Sequence, residues 1–286
     1  MSEELQLTQN ELNGPITYYL EKFKGQIPTE LKKAYYQSVD APYLSAIPII
    51  REEGSFHKIF ATGFIVNIAQ KFFFVTAAHV MDDRTKFAIG LGDSLEGNSN
   101  LFNFERQIYH SNFDEAGGRD GDNDDFAISE IRNELALKIL RKARTISKED
   151  IQVETHESRW RAVVGYGGRQ KIRPGELQPR CLMLSTREWP IEAAPTLQLS
   201  PERHALFSRS GRTFNPLTGT RIKNVKYEGM SGGPVWTLPT LSQAFSGDFK
   251  PKLLGMCVGS DSANRFINGT KISIIWDALT QIAFSN

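Results

Sequence analysis

Short apolar runs broken by polar or glycine residues dominate the chain from Ala46 onward. "AIPII" (46–50), "HKIFATGFIVNIA" (57–69) and "KFFFVTAA" (71–78) are β-branched and aromatic, and they predict consecutive strands. "ETHESRWRAVVGYGG" (154–168) predicts another strand that ends in glycines, and "KLLGMCVG" (252–259) and "KISII" (271–275) predict two more. Before residue 46 the texture differs. Residues 1–40 read as helical, with Pro28 and Thr29 opening a run of good helix formers. In the terminal "SIIWDALTQIAF" the apolar positions 275, 276, 279, 282 and 283 fall on one helical face. Ile131, Leu135 and Ile139 stand four apart, which predicts a helix within 129–150 linking two β halves. Residues 169–226 show no sustained period and read as long loops and hairpins. Many short strands with one terminal helix predict an all-β barrel or sandwich.

Composition narrows the class without choosing the chemistry. A chain of 286 residues, 40% hydrophobic and 23% charged, is an ordinary globular protein of one or two cores. A net charge of +1 supplies no basic excess for nucleic acid. The polar N-terminus lacks a signal-peptide pattern, and no window approaches the length of a membrane span. Two cysteines, Cys181 and Cys257, are too few for a disulfide framework. These features lead us to expect a cytoplasmic protein with reduced thiols, no membrane partner and no nucleic acid.

Three stretches carry candidate chemistry. "FFFVTAAHV" (72–80) ends an apolar strand in two alanines and His79. Alone, His79 reads as a buried, hydrogen-bonded histidine, although the alanines leave room around its ring. "GDNDDFAISEI" (121–131) crowds acids ahead of an apolar strand. It lacks the spaced glycine and closing glutamate of a calcium loop, so we expect no metal there. Asp125 stands directly before the apolar run and can be buried while its neighbours stay wet, with Asp124 as the alternative. "YEGMSGGPVW" (227–236) sets Ser231 among glycines, which is either a tight structural turn or a backbone brought close to something the serine acts on.

Taken together, His79, Asp125 and Ser231 occur in the chain order of the chymotrypsin/trypsin family of serine proteases. "TAAH", "DFAI" and "GMSGGPV" match that family's motifs, "TGFIV" (62–66) resembles its strand ahead of the histidine, and "VVGYG" (163–167) resembles the strand after the aspartate. The resemblance runs from about Ile47 to Phe284, with gaps at 1–45 and 169–222. It implies two packed antiparallel β-barrels with the site between them. The expected division is an N-terminal helical extension over 1–45, a first barrel over 46–145 carrying His79 and Asp125, and a second over 146–286 carrying Ser231 and the C-terminal helix. It implies a triad of His79, Asp125 and Ser231, with the backbone amides of Gly229 and Ser231 forming an oxyanion hole and no cofactor.

The departures from the family pattern are informative. Met230 stands where zymogen-activated members carry an Asp that pairs with a new N-terminus. Activation by propeptide cleavage is therefore not expected, and a regulatory or sensor protein is a candidate partner. Val225 stands where trypsin-type enzymes carry the Asp at the base of the specificity pocket, which disfavours burying a substrate cation. Val225, Val258 and Gly259 are the expected pocket residues. An apolar or small side chain is the expected fit, and Lys226 and Arg265 leave an acidic one open. The expected function is a regulated intracellular serine endopeptidase acting on protein substrates, with a role in stress or antiviral defence. The alternatives are a silent binding or scaffold module on the same fold, and an esterase using the same triad.

Overall fold

Alternation along "RWRAVVG" shows how the second half is built. The computed structural model describes residues 12–22, 28–53, 56–82, 87–90, 101–103, 108–111, 124–132, 134, 143–151, 159–167, 171–172, 181–261 and 266–285. Within β8 (Trp160–Gly165), Val163 points into a small cluster with Leu184, Phe207, Met230, Val235, Cys257 and Ile267. Ala162 and Val164 point the other way, into the main core. Both faces are buried, so the strand reads as a continuous apolar run. Its partners are β10 (Leu182–Trp189) and β14 (Pro234–Thr237), and β15 (Leu253–Asp261), β16 (Phe266–Lys271) and β11 (His204–Ser208) follow in order, all antiparallel. The end of β10 pairs with β11 through Glu188↔Phe207 and Trp189↔Leu206, which closes a six-strand barrel. Two short strands, β12 (Arg212–Phe214) and β13 (Arg221–Ile222), extend the sheet from β10.

The first half forms a separate curled sheet. Here β1 (Ile47–Glu53), β2 (Phe56–Ile68) and β3 (Lys71–Ala77) run as consecutive antiparallel neighbours, as their apolar patterns predict. The path continues from β3 to β7 (Phe126–Ile131) and β6 (Ile108–His110), and from β1 to β4 (Phe87–Gly90) and β5 (Leu101–Asn103). A two-residue strand, β9 (Lys171–Ile172), pairs with the start of β2. Among the described residues no pairing joins the ends of this path, so its two edges differ from the closed ring of the second sheet. The all-β architecture of two packed sheets, with helices at either end of the chain, is the one expected.

The helices cover outer faces. Helix α1 (Ile16–Lys22) and helix α2 (Thr29–Ser45) precede the sheets. Leu31, Ala34, Tyr35, Ser38, Val39, Ala41 and Pro42 on α2 are buried, and the Tyr35 and Tyr36 hydroxyls donate to the carbonyls of Pro216 and Leu217. Glu21 on α1 accepts from Arg212 at 2.9 Å and Arg221 at 2.8 Å. The N-terminal segment therefore packs on the outside of the second sheet. Helix α3 (Leu241–Ser246) begins with a Thr240–Gln243 capping box, and helix α4 (Ile272–Phe284) closes the chain. At the end of α4, the Lys71 ammonium of β3 donates to the Ala283 carbonyl at 2.9 Å, a cation at a helix C-terminus.

Three expectations differ from these elements. Residues 126–131 form a strand rather than the start of a helix over 129–150, and residues 135–142 lie outside the described residues. "KISII" does not form a strand, because the chain leaves β16 at Lys271 and enters α4 at Ile272. Burial of Ile275 and Leu279 on one face outweighs the strand preference of the isoleucines. The stretch 169–226 holds five strands among its described residues, of which β10 is eight residues long, where loops and hairpins are expected.

Candidate active site

Strand register brings the first two candidates together. Thr76 pairs with Ala127 and Ala77 with Phe126, so the residues just beyond β3 and just before β7 meet at one end of the sheet. There the chain makes a short helical turn, Ala78–Met81, and the Ala78 amide donates to the Asp125 carbonyl at 2.9 Å. Asp125 takes a left-handed backbone conformation, φ 41°, which is uncommon for a residue other than glycine. That turn sends its carboxylate back over His79. One oxygen accepts the His79 main-chain N–H at 2.8 Å, and the other lies 2.5 Å from the ring Nδ1. A carboxylate only accepts, so Nδ1 carries the proton and the neutral ring presents a free lone pair at Nε2. Ala77 and Ala78 are fully buried beneath, whereas the histidine side chain is 44% exposed, not the buried histidine that its strand alone suggests.

Asp124, the alternative carboxylate, faces the other way. Its two oxygens accept from the Arg203 guanidinium, and His204 Nε2 stands 3.2 Å from one of them. His204 Nδ1 accepts from the Ser200 amide at 2.9 Å, so Nε2 holds its ring proton and faces the carboxylate. The Thr270 hydroxyl donates to the Asp124 carbonyl. Asp124 is thus a buried anchor to β11 and β16 of the second sheet.

Ser231 sits in the turn before β14. Gly229 and Gly232 have φ of 94° and 82°, values open to glycine and strained for other residues. A Cβ at Gly229 would stand 2.5 Å from the Tyr166 carbonyl, so the turn also needs a residue without a side chain there. The amides of Met230, Gly232 and Gly233 donate to Tyr227, Cys257 and Met230 carbonyls at 3.0, 2.7 and 2.9 Å. The amides of Gly229 and Ser231 have no acceptor among the described residues. Met230 is buried in the interior cluster of the second barrel, so apolar packing holds the loop where an ion pair is missing.

A cleft of about 220 Å³ joins these parts, lined by His79, Ser231 and Gly229, with Phe60, Val80, Tyr227, Cys257 and Ile267 as its apolar walls. No hydrogen bond joins the Ser231 hydroxyl to the imidazole, although both face this space. Contacts of this kind commonly tighten only once a substrate is seated. Of the three expected pocket residues, Gly259 lines the cleft. Val225 and Val258 do not, and Val258 packs into the main core instead. Arg265 lies outside the described residues. Burial pushes the Cys257 thiol up to about 12, so it stays protonated and unreactive beside the serine. Sequence reasoning missed Phe60, Tyr227 and Ile267. They come from three separate segments; Tyr227 stands at the edge of the Ser231 stretch, and no local motif marks Phe60 or Ile267.

The trypsin family model matches residues 33–184, a span that holds His79 and Asp125 and stops before Ser231. No curated protein matches the sequence. Among solved structures, a serine endoprotease from Yersinia pestis is 12% identical with a TM-score of 0.47, covering 90% of this chain and 67% of its own. A Sesbania mosaic virus structure, described for coupled folding and binding of the disordered VPg protein, is 14% identical with a TM-score of 0.42, covering 82% of this chain and 88% of its own. Among the described residues no helix is long and apolar enough to cross a membrane.

Proposed function

The chain belongs to the trypsin family, and on that premise we propose that it is a serine endopeptidase using His79, Asp125 and Ser231. The observation that carries this reading is the Asp125 carboxylate gripping both the ring and the main chain of His79 at a cleft shared with Ser231. Nε2 takes the Ser231 proton as Oγ attacks the peptide carbonyl. The oxyanion then meets the Gly229 and Ser231 amides, two donors that the fold leaves unused. Collapse breaks the C–N bond, with the proton passing from Nε2 to the leaving amine. Water, deprotonated by the same nitrogen, attacks the acyl ester and releases the acid. Asp125 holds the ring tautomer throughout and stabilises the imidazolium.

The walls of Phe60, Tyr227, Cys257 and Ile267 favour an apolar substrate side chain, and Glu228 sets a carboxylate among the lining residues. Met230 makes ordering of the loop independent of a newly cut N-terminus. Control then falls to a partner protein or to cleft access, in keeping with an intracellular, regulated enzyme.

The test is labelling with a fluorophosphonate together with cleavage of a peptide library. We expect wild type to label and cut. Ser231→Ala should lose labelling, and Ser231→Ala and His79→Ala should each lose at least about a thousandfold in turnover with the fold retained. Wild type that folds and neither labels nor cuts leaves the scaffold reading in its place. Hydrolysis of esters but not peptides favours the esterase.

A further inference from the structure

Thr62 lies on β2 of the first sheet, yet its partners are mostly on the second. It is fully buried, and all of its polar groups are bonded. Its amide donates to the Ser231 carbonyl at 2.9 Å. Its hydroxyl donates to the Gly229 carbonyl at 2.8 Å and accepts from the Tyr166 amide at 2.9 Å. Its carbonyl accepts from the Thr76 hydroxyl at 2.7 Å. A threonine hydroxyl has one hydrogen. Because the Tyr166 N–H must donate to it, that hydrogen is committed to Gly229.

We propose that Thr62 is a positioning residue that sets the peptide planes of the nucleophile loop, so that the Gly229 and Ser231 amides face the cleft. This rests on the proposed role of those amides as an oxyanion site. The 229–230 peptide is gripped at both ends, by the Thr62 hydroxyl on its carbonyl and by the Tyr227 carbonyl on its N–H. The 230–231 plane, which carries the Ser231 N–H, is held through the Met230 carbonyl by the Gly233 amide. The 231–232 plane is held by the Thr62 amide. The plane bearing the Gly229 N–H therefore adjoins a chain of fixed planes, two of which are tied to one residue of the opposite sheet, one by its hydroxyl and one by its main-chain amide. The second half of the protein keeps room for it, since a Cβ at Gly165 would stand 2.9 Å from the Thr62 hydroxyl oxygen and one at Gly232 2.1 Å from its carbonyl oxygen. A shift between the two sheets then reaches the oxyanion site directly.

The experiment compares Thr62→Ser, which keeps the hydroxyl, with Thr62→Val, which keeps the shape. In amide NMR and hydrogen exchange, Thr62→Val is expected to shift the Gly229 and Ser231 signals and speed their exchange, with Thr62→Ser close to wild type. In kinetics, Thr62→Val should lose about 10²-fold in kcat with KM changed less than about threefold. A peptide aldehyde, whose adduct uses the oxyanion site, should lose affinity by a similar factor. Thr62→Ser should stay within about threefold of wild type on every measure. Unchanged loop amides in Thr62→Val, or equal damage from both variants, overturns the proposal. If Thr62→Val fails to fold, Thr62→Ala carries the same readouts. If wild type proves inactive, the endopeptidase reading fails, and the loop amides in the NMR measurement still decide the role of Thr62.

Discussion

Two neighbouring aspartates point in opposite directions. Asp125 serves His79 and Asp124 serves Arg203, and the left-handed backbone at Asp125 separates them. Position directly ahead of an apolar strand was enough to favour Asp125 in the sequence, because a carboxylate at that edge leaves water first. The role of Asp124 was not legible, since its partner lies 79 residues away in a stretch without pattern. The glycines around Ser231 were legible as a requirement for close backbone approach, and Gly232 puts that requirement to a direct test. A methyl group there would collide with the Thr62 carbonyl and the Thr76 hydroxyl, in a conformation that already costs an L-residue about 1–2 kcal/mol. Gly232→Ala is expected to lower unfolding stability by at least about 2 kcal/mol, measured by urea denaturation. A loss below about 0.5 kcal/mol would mean that the turn can take another shape.

At the scale of elements, the strands with alternating or continuous apolar runs were readable because both of their faces are buried. Strands β12 and β13 were not, because they are only three and two residues long and mix Arg and Thr with apolar residues. Helix α1 is tied to these strands by one carboxylate. Bonding to Arg221 holds the Glu21 carboxyl below its ordinary value of 4.5, with Arg212 adding to the effect. A depressed carboxyl stabilises the folded state above its unfolded value, and that contribution disappears as pH falls through the lower, folded one. Helix α1 should therefore loosen as pH drops below about 4.5, seen as faster amide exchange in residues 16–22. Glu21→Gln should flatten this pH dependence while costing less than about 1 kcal/mol at neutral pH, as expected of a half-exposed pair. An identical acid response in the variant would assign the loosening to other groups.

At the scale of the whole molecule, the site depends on how the two sheets meet. Thr62 reaches the Ser231 loop, Asp124 reaches Arg203 and His204, and Lys71 reaches the end of α4. Asp124→Ala removes the buried acceptor of two Arg203 N–H bonds and the carboxylate beside the His204 ring, at a cost of about 1–3 kcal/mol. The Thr270 bond to the main-chain carbonyl of residue 124 remains, so the neighbour of Asp125 loses only the side-chain half of its anchor. We expect a lower urea midpoint and a fall in kcat with little change in KM, measured on the same preparation; unchanged stability would show that the clasp bears no load. The sequence by itself determined the strand-rich class, the helical ends and three chemically apt side chains, since burial periodicity and glycine placement are local properties of a chain. Only the tertiary structure decided which aspartate meets the imidazole, which amides are left without acceptors, what lines the cleft, and that a threonine of one sheet grips the loop of the other. Each of those depends on contacts between residues far apart in sequence, and such contacts exist only once both sheets have folded and packed.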